Sequence, residues 1–159
     1  MPTLAIGQVV EVEVQRVEVY GAFCRSGNQE ILLLIPETSW IASFCSTRQF
    51  TAPGDRLVVK ILHVDPLTGK TSATLRGMHP DPWPDGSLTP GREHLARVVR
   101  FVSEADRCGG APGFLLELLP GAFVMLRALG RSLEPGERIR VVVRESDSRR
   151  RSVTVTLVD

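Results

Sequence analysis

The sequence predicts an all-β protein built from two small five-stranded barrels in tandem. Apolar and polar residues alternate with a period close to two near the N-terminus, and helical periodicity is nearly absent from the first half. The last strands of that half recur after Pro135, in the same order as after Pro53. At 159 residues the chain has room for two domains of about 80 residues, each with a modest core.

The first strand is predicted over residues 8–19, where valines face a core while Glu11 and Glu13 face water. The alternation ends at Tyr20-Gly21. A short strand through Phe23 then reaches residues 26–28, whose Ser-Gly-Asn sequence favours a tight hairpin turn. The pattern therefore predicts an antiparallel hairpin.

Residues 30–35 form a compact apolar run that ends at Pro36, a residue that cannot donate to a continuing sheet. Two further strands are predicted over 56–64 and 70–75, joined by the turn sequence of residues 65–69. The crossover before them carries candidate core residues: Trp40, Ile41, Phe44 and Phe50. Five strands with an irregular insert after the third are typical of the oligonucleotide- and oligosaccharide-binding (OB) barrel.

The domain boundaries follow from prolines and from the internal repeat. Residues 1–78 form the first barrel, residues 79–90 a linker with four prolines, and residues 91–159 a second, divergent barrel. Pro53-Gly54-Asp55 and Pro135-Gly136-Glu137 match without a gap, which also aligns Asp65 with Asp147. Upstream the copies diverge, with a longer loop over 104–113, and Phe114 and Phe123 are unaligned candidates for aromatic equivalents.

Composition excludes several classes of protein. A formal charge of +1 excludes a strongly basic nucleic-acid protein of the histone or ribosomal-tail type, and it equally excludes an acidic tail. The three cysteines, Cys24, Cys45 and Cys108, have neither zinc-ligand nor disulfide spacing. We predict no metal, no cofactor and no enzymatic activity, because no catalytic constellation or phosphate-binding loop occurs. Without a signal segment or a long apolar run, we expect a cytoplasmic protein and no membrane partner.

Tyr20-Gly21-Ala22-Phe23 is the motif that points to a function. Paired rings on a surface are what unstacked bases stack on, so this motif favours a single-stranded nucleic-acid partner. The alternative is that at least one ring fills the barrel interior.

The first half resembles the S-one RNA-binding domain over residues 4 to about 77. The resemblance rests on Gly7, Val14, Val17, the Tyr20–Phe23 motif, Leu32-Leu33-Leu34-Ile35-Pro36-Glu37, Ser39-Trp40, Pro53-Gly54-Asp55, Asp65-Pro66-Leu67-Thr68-Gly69-Lys70 and Thr74-Leu75. In the second half only about the last 25 residues are similar.

The resemblance implies an RNA platform on the second and third strands of the barrel. Tyr20 and Phe23 would stack on bases, Asp65 would make a polar contact, and Lys70 would meet phosphate. Leu34 stands where the family often has histidine. Arg76, just after the last strand, completes the predicted RNA-binding set. Glu11 and Glu13 would weaken RNA binding if they lay near the platform.

Arg149-Arg150-Arg151 is the densest positive run, at the turn that aligns with residues 67–69. It is either a solvated hairpin tip or a phosphate contact, and it could also dock on ribosomal RNA or on an acidic protein.

The hypothesis is a non-enzymatic protein that binds single-stranded RNA in translation or RNA metabolism, with the ribosome or a protein as further candidate partners. The alternative is an adaptor whose barrels hold a protein or ribosomal partner and have little RNA affinity.

Overall fold

The computed structural model describes residues 4–42, 46–103, 112–128 and 130–158. Outside the strands, the described residues form turns, loops and three short 3-10 helices, Ile35–Glu37, Thr47–Gln49 and Arg76–Met78. The first half has five strands at the predicted positions: β1 (Val9–Val17), β2 (Gly21–Ser26), β3 (Gln29–Leu34), β4 (Arg56–Val64) and β5 (Thr71–Thr74).

These five strands close into a barrel of order β1-β2-β3-β5-β4. All neighbours are antiparallel except β3 and β5, whose parallel pairing of Ile31 with Thr71 closes the sheet. Closure leaves no unpaired strand edge. The predicted alternation holds in β1, where Val12 and Val14 are buried and Glu11 and Glu13 are exposed.

A bulge interrupts the alternation of β1 at residue 15. Val14 lies opposite Cys24, but two residues further along β1 Arg16 lies opposite Phe23. A bulge adds one residue to a single strand and bends it, which re-aims the side chains that follow. The outward face of β1 and β2 therefore carries Arg16 next to Phe23.

The second half forms a five-stranded sheet of order β10-β9-β6-β7-β8. Its antiparallel pairs are those of the first barrel, and β8 and β10 approach each other without a ladder between them in the described residues. The prediction of an all-β fold with two five-stranded barrel-like sheets is confirmed. The strands are β6 (Glu93–Val102), β7 (Gly113–Leu119), β8 (Ala122–Arg127), β9 (Arg138–Asp147) and β10 (Ser152–Leu157).

Two local features support the interpretation of the halves as copies. A bulge interrupts β6 between Val98 and Arg100, as in β1. In the turn after β9, Arg151 has a φ of 56°, matching Gly69 with a φ of 74° in the turn after β4. The residue offset that aligns the sequences of the two halves thus also aligns Gly69 with Arg151, which both have a left-handed backbone conformation.

The two barrels pack directly on each other. Phe123 of β8 lies in the same buried cluster as Phe50 and Leu75 of the first half, and the two phenyl centroids are 5.0 Å apart. Ile41 from the first half lies in the second core. Among the hydrogen bonds that cross the junction, Trp40 N–H donates to Gly121 O at 2.9 Å, and Phe123 N–H to Ser39 Oγ at 2.9 Å.

The proline-rich segment over residues 79–90, predicted as a linker, packs against residues of both halves. Leu88 is only 2% exposed within the second core. The Trp83 indole N–H donates to Trp40 O at 2.7 Å. Prolines stiffen a segment, and here apolar side chains between them fix that segment to its neighbours.

Candidate nucleic-acid interface

Tyr20 and Phe23 form an aromatic pair on the outside of the first barrel. Tyr20 is 52% exposed and Phe23 is half-buried, so neither ring belongs to the buried barrel core. Their centroids are 6.2 Å apart and their planes meet at 88°. Bases stacked on the two rings would lie in nearly perpendicular planes, so a bound strand must turn between them.

Gly21 sits between the rings because β2 and β3 approach very closely there. A Cβ at this position would lie 2.8 Å from the backbone oxygen of Leu33, closer than real contacts allow. Gly21 lies opposite Leu34 in the strand register, and Leu34 is 39% exposed. The missing side chain thus allows the backbone of β3 to lie directly against β2 beside Tyr20.

Arg16 is a site residue that sequence reasoning missed. Its guanidinium carbon lies 4.2 Å from the centroid of Phe23, and its Nε is 3.4 Å from a carboxylate oxygen of Glu18. One face of Phe23 is therefore covered by a cation whose own plane can stack on a base. The bulge in β1 sets this pairing, and a strict alternation of β1 does not predict it.

A groove of about 700 Å³ runs from Phe23 to the turn between β4 and β5. Its wall is fixed by Gln29, whose Nε2 donates to Gly69 O at 3.2 Å and to Thr71 Oγ1 at 3.1 Å. The predicted site residues Phe23, Asp65 and Lys70 all line this groove, together with Leu32, Ser72 and His63. His63 is exposed beside Ser72, so the groove also holds an imidazole.

Asp65 organises the turn that carries Lys70. Its Oδ1 accepts from Leu67 N–H at 2.8 Å and from Thr68 N–H at 3.3 Å. These two backbone hydrogen bonds hold the pKa of the Asp65 carboxyl below its ordinary value, with the Leu67 bond the larger cause. Asp65 thus acts first on the turn and only one of its oxygens is engaged there.

Residues 3–76 match the S1 (S-one) RNA binding domain model. The first barrel belongs to the S1 RNA-binding domain family. The match ends where β5 ends, so the second barrel lies outside it.

Comparison with curated proteins gives relatives along most of the chain. It is 32% identical over 121 residues to small ribosomal subunit protein bS1 of Streptococcus pneumoniae, covering 74% of this chain and 28% of the relative. It is 26% identical over 160 residues to the 4-hydroxy-3-methylbut-2-enyl diphosphate reductase of Clostridium acetobutylicum, covering 95% of this chain and 24% of the relative. The chain thus spans about a quarter of the length of each of these relatives.

Among solved structures, the a/eIF2alpha-aDim2p-rRNA complex from Pyrococcus horikoshii matches 52% of this chain and 50% of the compared chain. The identity is 25% and the TM-score is 0.45.

Two of the predicted arginines lie away from the groove of the S1 barrel. Arg76 stacks on the Trp40 ring at 4.6 Å and pairs with Glu37 at 3.6 Å. Arg151 donates from Nη2 to Ser39 O at 2.9 Å and from Nε to Trp40 O at 3.2 Å. Burial and then nearby Arg76 lower the pKa of Arg151. Both arginines hold the crossover of the S1 barrel, a role that their sequence positions do not predict.

Arg149 and Arg150 lie at the exposed tip of the β9–β10 turn, as predicted. Their backbone N–H groups donate to Oδ1 of Asp147 at 3.0 and 3.3 Å, the counterpart of the Asp65 turn. The Arg150 side chain is 85% exposed, with Nε 3.8 Å from Asp147 Oδ2. Within the described part of the chain, the Arg149 guanidinium has no carboxylate within 4.0 Å.

The strand register identifies the second-barrel counterpart of the aromatic platform. In the first barrel, the first pair after the bulge in β1 is Arg16 with Phe23, and Phe23 in turn lies opposite Leu32 of β3. In the second barrel, the first pair after the bulge in β6 is Arg100 with Leu115, and Leu115 in turn lies opposite Met125 of β8. Leu115 is therefore the counterpart of Phe23, and it is fully buried in the cluster shared with the S1 barrel. The surface that would correspond to the platform is covered by the first barrel.

The sequence of β7 indicates that this surface of the second barrel is buried. Four consecutive residues of β7, Gly113 to Leu116, are buried, whereas in β2 no more than two consecutive residues are buried. A continuous apolar run is typical of a strand that is buried on both faces. The run Phe114-Leu115-Leu116 thus distinguishes β7 from β2, the strand to which it corresponds.

Among the described residues, no group of three or more histidines, cysteines, aspartates or glutamates is placed to hold a metal ion. No described helix is long and apolar enough to cross a membrane.

Proposed function

We propose that this protein binds single-stranded RNA through the S1 barrel and acts in translation or RNA metabolism in the cytoplasm, without catalysing a reaction. The observation that carries the proposal is the exposed Tyr20–Phe23 pair beside a groove that contains Lys70, on a barrel of the S1 family. Membership of the family and the relative named as a ribosomal protein support the same class of function.

One base stacks on Tyr20 and the next on Phe23 or on the Arg16 plane above it. A base stacked on a ring is worth about 1–3 kcal/mol, and this interaction tolerates any base. Lys70 and Arg16 meet phosphates on either side, while His63 and the Asp65 carboxylate offer polar contacts in the groove. Glu11 does not act against this arrangement, because its carboxylate pairs with Arg56 at 3.0 Å.

The second barrel supports the first one. Because its own platform position, Leu115, is buried, the stacking platform found among the described residues is the one on the S1 barrel. The contact of Phe123 with Phe50 fixes the crossover from which β4 starts. The affinity for RNA then depends on the two rings of Tyr20 and Phe23 and is expected to be weak.

Fluorescence anisotropy with a labelled single-stranded oligonucleotide at low salt tests the proposal. Tyr20→Ala removes one stacked base and should weaken binding about 5- to 150-fold, the equivalent of about 1–3 kcal/mol. The variant should fold normally, because the ring is 52% exposed. Lys70→Gln should weaken binding less than Tyr20→Ala does. It should also make the slope of log binding constant against log salt concentration shallower by about 0.7, the value for one phosphate contact on a single strand.

Phe101→Ala is the matched control. This ring of the second barrel is 50% exposed and lies 5.4 Å from Phe114, so it resembles Tyr20 in exposure and in having an aromatic neighbour. RNA affinity should not change. Equal losses in Tyr20→Ala and Phe101→Ala, or no binding by the unaltered protein, would refute the proposal.

The adaptor function is the second candidate, and one surface favours it. Val9 and Val58 lie on the neighbouring strands β1 and β4 and are 56% and 50% exposed, as is usual for apolar side chains that contact a protein. Co-purification of a partner that withstands ribonuclease, together with loss of that partner in Val58→Glu, would favour the adaptor over RNA binding.

A further inference from the structure

The β9–β10 turn of the second barrel is fastened to the crossover of the S1 barrel. Arg151 has a φ of 56°, a conformation uncommon for residues other than glycine. Its guanidinium donates to Ser39 O and Trp40 O, and its own carbonyl accepts from Ala42 N–H at 2.7 Å. Three hydrogen bonds thus hold a strained residue in place, and the turn cannot shift independently of the crossover.

That crossover begins where the aromatic platform ends. Ile35 directly follows Leu34, and its N–H donates to Tyr20 O at 2.9 Å. A small pocket of about 180 Å³ lies between the crossover and the turn, lined by Ile35, Pro36 and Arg151 among others. Ile35 and Pro36 thus link the end of the platform to the pocket that Arg151 of the β9–β10 turn lines.

The tip carries an excess of positive charge. Arg150 has only a long ion pair with Asp147, and Arg149 has no carboxylate partner within the described residues. Both are exposed, and their guanidinium groups can fork onto phosphate. At the other end of the platform, the groove holds Lys70. A strand lying on the rings thus has cations at both of its ends.

We propose that the two barrels form one composite RNA site, in which the strand leaving Tyr20 crosses Pro36 and places its phosphates on Arg149 and Arg150. This inference rests on the proposed function and adds a second contact region to it. The ligand is the phosphate backbone of the same single strand. The second barrel then contributes to RNA binding by its turn, in place of the platform surface that it buries.

The test compares short and long RNA. One barrel of this type covers about 4–16 nucleotides, so an oligouridylate of about 4 nucleotides fits the platform and one of about 20 extends past it. In the double variant Arg149→Ala with Arg150→Ala, affinity for the short oligonucleotide should stay unchanged. Affinity for the long one should fall, and its log–log salt slope should shrink by about 1.4, the value for two phosphate contacts on a single strand.

The control is the double variant Arg138→Ala with Arg140→Ala. These exposed arginines lie at the start of β9, about 24–30 Å from its other end by the rise of a strand, and their removal changes the net charge equally. This control variant should bind long RNA with the same log–log salt slope as the unaltered protein. The variant Arg149→Lys with Arg150→Lys should keep most of that slope, because the charge remains.

An unchanged salt slope in the Arg149/Arg150 alanine variant, or an equal change in the Arg138/Arg140 control, would overturn the composite site. Equal weakening for both RNA lengths would overturn it as well. The proposed function fails separately: in that case the unaltered protein binds neither oligonucleotide, or binds both without dependence on Tyr20.

Discussion

The contact between Phe50 and Phe123 predicts that the two barrels unfold as one unit. The rings are 6% and 5% exposed, lie 5.0 Å apart and meet at 79°. Because each ring belongs to a different barrel, their pair joins two cores that the sequence separates by the connector. Truncating either ring to alanine should cost about 3–5 kcal/mol. The edge-to-face contact itself contributes about 0.5–1.5 kcal/mol of this.

Phe→Leu substitutions allow the coupling to be measured while the protein stays folded. Each single variant should lose about 1–2 kcal/mol of unfolding free energy. The double variant should lose less than the sum, by about 0.5–1.5 kcal/mol, because the ring contact can be lost only once. A Phe101→Leu variant is the control for a half-exposed ring outside the junction.

Urea unfolding followed by far-ultraviolet circular dichroism and by tryptophan fluorescence gives these values. Trp40 lies in the crossover of the S1 barrel and Trp83 packs against the second core, so fluorescence reports on the junction. We expect one transition that coincides for both probes. Two separate transitions, with only one of them shifted by Phe123→Leu, would refute the reasoning, and so would additivity within about 0.3–0.5 kcal/mol.

Three further predictions concern the S1 barrel. Gly21→Ala should lower the unfolding free energy by about 1–3 kcal/mol, because its Cβ would lie 2.8 Å from Leu33 O; an unchanged melting temperature would contradict this. Burial raises the pKa of the Cys24 thiol to about 11, so peptide mapping after iodoacetamide treatment at about pH 8 should find Cys24 unlabelled until urea is added. The pKa of Asp65 is lowered in the folded state, so its contribution to the turn is present above about pH 4 and disappears as the pH falls through the lowered value. Amide exchange at Leu67 and Thr68 should accelerate there, and Asp65→Asn should remove that pH dependence.

Much of the first barrel could be predicted from local patterns. The alternation in β1, the Ser-Gly-Asn turn and the proline after β3 each act over a few residues, and the strands begin and end within about two residues of the predicted positions. The exposed ring pair followed from its motif and from the family resemblance. Arg16 did not, because its contact with Phe23 depends on a bulge that shifts the register by one residue.

The sequence alone determined that this protein is all-β, that one half repeats the other, and which strand carries the aromatic pair. These properties depend on side-chain period and turn residues, which are local. Only the tertiary structure decided how many platforms the chain presents, because the burial of Leu115 depends on which barrel face meets the other. It also decided the separate roles of three adjacent arginines: Arg151 bonds to the crossover, while Arg149 and Arg150 remain exposed. Contacts between residues more than a hundred positions apart set these roles, and no local pattern contains them.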